Sequence, residues 1–405
     1  GDALTVGNTN VAVGTHALSA DTKGDRNVAI GRAALQSQNF TTSTDSYNTA
    51  VGYGTGELIT TGVQNTLIGG LAGDALTDAD NNVAVGYSSL GANTVGSRST
   101  AVGTYALEVQ NPASAANMYN TALGYGSGQS VTTGTNNTLM GGLSGNSLTT
   151  GSQNVALGLN ALQTEDTGGR SVAIGAYTLN AQNYDGLAYN TAVGYSAGNA
   201  VTTGTENTLI GGLAGDALTD ADYNVAIGYL ALSGDTLGSR SVAIGRSALQ
   251  VQNFTSATNA YNVAIGFQCG DSVTTGVQNT LIGGLTGDAL TDADYNVALG
   301  YHALSGDTLG SKTTAIGVGA LEAQNFTSAT DSFNTAVGYT AGAAVTTGVN
   351  NTFVGGLAGD NVTSGTQNTL IGAQVEAEAA GSNNCIGLGF NIVAGAGYTT
   401  VGIDA

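Results

Sequence analysis

The sequence predicts an all-β fold, a parallel β-solenoid (β-helix or β-roll) of about 22 coils, and three observations carry the prediction. A five-residue word recurs from Asn10–Gly14 to Asn368–Gly372, most often at a step of 17 residues: Asn or Ser, Val or Thr, Ala or Leu, an aliphatic residue, then Gly. Gly supplies 64 of the 405 residues and Pro one, and no apolar stripe at helical spacing persists, so helices are excluded. Between the words Gly, Asn, Asp and Ser fall where corners would lie.

The word itself predicts a short strand. Its last two side chains before the Gly are both apolar and point to opposite faces, so both faces need cover. The Val or Ile next to the Gly is read as filling the thin coil interior. The Ala before it, as at Ala243 and Ala264, is left for a neighbouring copy, preferably in a homotrimer. A second apolar column lies seven residues after the Gly in two coil types (Ile59, Val273; Leu76, Leu290) and four after it in the other two (Leu35, Leu249). It predicts a second short strand per coil. The Asn heading the word, as at Asn48, Asn65 and Asn82, predicts a ladder of stacked amides bonded from coil to coil. Every fourth step lengthens to 21 or 19 residues, giving a four-coil super-repeat of 72 residues, once 70. The expected organisation is a shaft of repeated coils over residues 1–380 and shorter coils over 381–405 that close it.

Charge narrows the function classes. With 28 acidic and 8 basic residues the chain carries a net charge of -20, which repels nucleic acid and anionic membrane surfaces. No apolar run approaches the roughly 18 residues needed to cross a bilayer, so no membrane insertion is expected. Cys269 and Cys385 have neither disulfide-framework nor metal-ligand spacing, and two histidines, His16 and His302, make no catalytic set. A non-enzyme without a cofactor is expected.

Gly69-Gly-Leu-Ala-Gly-Asp-Ala-Leu76 falls one residue short of a calcium-binding nonapeptide. Asp74, Asp78 and Asp80, with Asp216, Asp220, Asp222 and Asp288, Asp292, Asp294, are therefore weak Ca²⁺ candidates. The motif returns only once in four coils, and its copy at residues 145–151 has no acid, which favours plain acidic corners. Arg26, Arg98, Arg170, Arg240 and Lys312 form one basic column, read as charge balance, with Asp235 and Asp307 five residues upstream of the last two. The long coils return aromatics on two flanks: Phe40, Tyr184, Phe254 and Phe326 on one, Tyr47, Tyr119, Tyr189, Tyr261 and Phe333 on the other. The favoured reading is that both flanks seal the coil. The alternative is a surface row for stacking on a host glycan or receptor.

Words such as Asn190-Thr-Ala-Val-Gly-Tyr-Ser-Ala-Gly198, Thr202-Thr-Gly-Thr-Glu-Asn-Thr-Leu-Ile-Gly211 and Ser241-Val-Ala-Ile-Gly-Arg-Ser-Ala-Leu249 resemble the head repeats of trimeric bacterial autotransporter adhesins. They are more similar still to shaft repeats of bacteriophage tail fibres, over roughly residues 5–400. The resemblance implies a homotrimeric, extracellular structural shaft, either a virion tail fibre engaged in host attachment or, alternatively, a bacterial cell-surface adhesin or filament. It carries no catalytic residues. Ice binding is a third option, but the Thr pairs at residues 60–61, 132–133, 202–203, 274–275 and 346–347 occupy one coil in four, too sparse for a lattice.

Overall fold

The computed structural model describes residues 1–403, which are all-β with no helix. About 23 coils follow one another at steps of about 17 residues, each contributing one strand of the repeated word. The chain divides into two compact units, Gly1–Thr205 and Glu206–Ala405. In the first, three-residue strands from Val11–Val13 to Thr191–Val193 form a parallel ladder in which each word pairs with its copy one coil on, as Val83, Ala84 and Val85 do with Thr100, Ala101 and Val102. In the second, the ladder runs from Thr208–Ile210 to Thr369–Ile371 and ends in two five-residue strands, Ile386–Phe390 and Thr399–Ile403.

The strand faces are the reverse of the sequence expectation. From the second coil onward the middle residue of each word is fully buried, Ala243 and Ala264 included, and the Val or Ile beside the Gly points outward. Size decides this. A 17-residue coil leaves so little interior that a β-branched side chain from the strand cannot share it with the Leu of the second column, whereas Ala can. Where the middle residue is itself large, the facing position becomes Gly. Leu281 lies between Gly270 and Gly287, and a Cβ added to either glycine would come within 3.0 Å of its methyl groups. Phe353 lies in the same way between Gly342 and Gly359.

The second column is not a second strand. Leu35, Leu107, Leu249 and Leu304 sit on turns with φ near +50°, pointing inward from a left-handed corner. Among the described residues, two-residue strands appear only beside the long coils, as in Gly238–Ser239 against Thr258–Asn259, and once more where Glu376–Ala377 pairs with Val393–Ala394. The Gly closing each word from Gly14 to Gly372 has φ between +122° and +146°. It also abuts the next coil, since a Cβ on Gly69 would sit 2.6 Å from the carbonyl oxygen of Gly86. No other residue meets both demands.

The Asn column is a ladder whose rungs run mainly from side chain to backbone. Asn279 Oδ1 accepts from Asn296 N at 3.0 Å, and its Nδ2 donates to Ala293 O at 2.7 Å, so one buried amide ties the strand start and the preceding corner of the next coil. The last register step, from Gly389 to Gly402, shortens the coil, and there the Asn position is taken by Tyr398. Of the segment expected to close the shaft, residues 404–405 lie outside the described residues.

Candidate functional site

In each unit the outward side of the strand ladder is a surface of uniform chemistry. Its two columns hold only Val, Thr, Ile, Leu and Met from Val11–Val13 to Thr369–Ile371, with no charge, in a chain that carries 36 acidic and basic side chains. Exposure at the column beside the Gly is 57% at the first coil's Val13 and, further along, 40% at Ile68 and Met140 and 44% at Leu123. Thr and Val alternate with larger aliphatics because outward positions on a strand tolerate β-branching and the pairing is in register.

Two further columns border this face. Five residues before each Gly, at a left-handed corner, stand the five bases together with exposed aromatics. Arg26, Arg98 and Arg170 lie over the rings of Tyr47, Tyr119 and Tyr189 at 5.3 to 5.7 Å. Arg240 lies between Tyr223 and Tyr261, at 4.8 and 5.9 Å, and Lys312 over Phe333 at 5.4 Å. The bases therefore stack on aromatics of adjacent coils, with carboxylate partners at Asp45 for Arg26 and Asp331 for Lys312. Asp235 and Asp307, expected to balance these charges, are instead fully buried.

Asp235 faces the interior of the coil. Its Oδ1 accepts from Gly238 N and Phe254 N at 3.0 and 3.2 Å, its Oδ2 from Gln252 Nε2 at 2.6 Å, and Gln252 Oε1 accepts from Asn262 Nδ2. Asp307–Gln324–Asn334 and Glu165–Gln182–Asn190 repeat the clasp. Burial pushes the carboxyls of Asp235 and Glu165 above the ordinary range, opposed by these donors. The sequence reading tied Asp235 and Asp307 to the bases downstream and missed both their burial and their Gln partners, because nothing in the pattern showed that a corner residue turned inward.

No family model matches the chain, and no curated protein matches it.

The long-coil aromatics divide by flank. Phe40, Phe254 and Phe326 are about 5% exposed and lie over the turn capped by the buried acid; Tyr184 is half-buried. In the second super-repeat Pro112 and Met118 fill this place, both close to Gly96. The other flank does not seal the coil: Tyr47, Tyr119, Tyr189, Tyr261 and Phe333 are about half exposed and belong to the basic column.

The weak Ca²⁺ candidates are not gathered. Among the described residues no group of three or more His, Cys, Asp or Glu stands close enough to hold a metal ion. Asp80 and Asp294 accept from Val63 N and Val277 N at 2.8 Å, Asp78 and Asp292 accept from Thr77 and Thr275, and Asp220 and Asp222 have partners of their own. Asp74, Asp216 and Asp288 lie at another corner, half-buried, with carboxyls raised mainly by burial. Cys269 is buried and its thiol pushed up to about 12 by burial, and Cys385 is buried as a free thiol. The Thr pairs also read differently in three dimensions. Their first members belong to a nearly continuous Thr/Asn column, as in Thr274, Thr291 and Thr308, and Thr291 Oγ1 bonds to Thr308 O in the next coil.

Proposed function

We propose that the chain is a non-enzymatic structural shaft of an extracellular fibre, a phage tail fibre engaged in host attachment, built as a homotrimer through the outward Val/Ile face. The single observation that supports the reading is the uncharged face of the strand ladder in each unit, with an aliphatic column beside a column of Thr and Val. In a chain of net charge -20 such a surface is costly to leave in water and suits contact with a copy of itself. The seam thus moves from the Ala side to the Val/Ile side. The resemblance of the repeat words to tail-fibre shafts supplies the biological setting.

Sedimentation of the intact chain, with Ile265→Asp plus Ile282→Asp as the variant, tests the assembly. The expected wild type is a trimer, and the expected variant is a folded species of lower mass with unaltered circular dichroism. A monomeric wild type overturns the trimer. Antibody labelling in electron micrographs tests the setting: label on virion tails supports the fibre, and label on a cell envelope overturns it in favour of a surface adhesin.

A further inference from the structure

The residue directly after the closing Gly forms a column on the other border of the apolar face, and aromatic rings recur along it two coils apart. In four of the five super-repeats the coil beside or between these rings sends in a bulky side chain. Arg32 lies 5.4 Å over Tyr53 and its Nη1 donates to the Tyr53 hydroxyl at 3.0 Å. Tyr105 packs edge-on against both Tyr87 and Tyr125, at 5.6 and 6.0 Å. Tyr177 packs against Tyr195 at 6.1 Å, and Arg246 lies 5.6 Å over Phe267.

The fifth super-repeat breaks the pattern. Val318 and Gly319 stand where the others have a large residue, and between Tyr301 and Tyr339, about 10 Å apart by coil spacing, a cleft of about 320 Å³ opens. That volume lies within the about 300 to 1,000 Å³ of small-molecule sites. Both tyrosines are more than half exposed. Polar groups gather at its side. His302 packs 4.2 Å from the Tyr301 ring centroid, and its Nδ1 lies 3.7 Å from Glu322 Oε1, too long for a hydrogen bond. Thr340 Oγ1 is shielded from solvent and has no hydrogen-bond partner. Gly319 keeps the space open, because a Cβ there would sit 3.1 Å from Glu322 Oε2 and 3.3 Å from Thr340 Cγ2.

We propose that this cleft binds one pyranose unit of a neutral glycan. Tyrosine rings offer apolar faces for the C–H side of a sugar ring, while the solvent-accessible side chains of Glu322 and His302 offer acceptors and donors for its hydroxyls. The chain's charge of -20, with Asp288 and Glu322 beside His302, selects against anionic sugars. The proposal rests on the cleft alone and does not need the fibre reading: sedimentation tests that reading, and ligand binding tests this one.

Saturation-transfer NMR on the full chain is the experiment, with methyl β-D-glucopyranoside, methyl α-D-mannopyranoside and methyl N-acetyl-β-D-glucosaminide as probes. Transfer to the ring protons of at least one probe is expected. Val318→Arg with Gly319→Ser copies the Arg246–Ser247 pair of the preceding super-repeat, so it plugs the cleft with a pair the fold already holds. It is expected to abolish the transfer while keeping wild-type circular dichroism and a melting temperature within a few degrees, since Ser247 already holds the same left-handed corner. Tyr339→Ala, at an exposed ring, is expected to reduce the transfer at least tenfold and covers the case in which the plugged variant folds poorly. No transfer from any probe to the wild type overturns the proposal, as does transfer that survives in Tyr339→Ala.

Discussion

In three coils of four, one buried Asn amide does the work that a long strand does elsewhere, and from Ser99 onward Ser or Thr heads the word in the fourth. Each strand of the repeated word, up to Thr369–Ile371, has only three residues, so the ladder alone leaves the corner carbonyls and the strand-start N–H groups unpaired, and the Asn column satisfies both. Asn279→Ala is expected to strand Asn296 N and Ala293 O and to cost about 2 to 4 kcal/mol, read from denaturant unfolding. The buried acids make a second expectation at this scale. Because burial raises the Asp235 carboxyl, the folded chain holds a proton that the unfolded chain has released between the ordinary aspartate value and the raised one. Stability from this group therefore grows as pH falls through the folded value and levels off below the unfolded one. Asp235→Asn is expected to flatten that rise in melting temperature between pH 7 and pH 4 while staying within about 1 kcal/mol of wild type at pH 7. Asn93 occupies the equivalent corner naturally, accepting from Gly96 N at 2.9 Å and donating to Gly96 O at 2.8 Å, which is why the exchange is tolerated.

At the scale of the coil, the two aromatic flanks of the long coils have different expected costs. Phe254→Ala empties a buried site over the Asp235 turn and is expected to lose roughly 3 kcal/mol. Tyr261→Ala removes a half-exposed ring stacked on Arg240 and is expected to lose under about 1 kcal/mol. Thermal melts of the two single variants separate them; equal losses count against the division. The period, the closing Gly and the Asn column were legible because each is fixed by backbone geometry that only one or two residue types satisfy. The direction of the strand was not, since Ala followed by Ile is apolar on both faces and only the volume left by Leu249 or Leu232 tells which of the two fits inside. The cleft at Val318 was illegible for a related reason: its walls come from three coils, and its signal is a missing bulk in one copy of five.

Within each unit a coil touches chiefly the coils before and after it, so what the whole chain must preserve is a grammar between neighbours rather than a fixed length. Over four coils the core reads Ala with Leu and an acid, Ala with Leu and Gln, Ala with Gly and Val or Ile, then Leu or Phe with Gly and an aliphatic, as from Ala226 to Leu290. Removal of residues 245–316, one full super-repeat, joins Ile244 to Gly317 and puts Gln324 where Gln252 served Asp235, and Phe333 where Tyr261 met Arg240. That deletion is expected to fold with wild-type β-sheet signal and a melting temperature within a few degrees. Removal of residues 283–299, a single coil, joins Ile282 to Gly300 and sets Leu304 against Leu281 in place of Gly287. Two large side chains then compete for space that accepts one, at a cost of about 1 to 3 kcal/mol, and the acid–Gln clasps lose their four-coil spacing. The shorter deletion is thus expected to be the more damaging one. Calorimetry on both decides, and a single-coil deletion that melts above the four-coil deletion shows that the repeats stack without regard to their core partners.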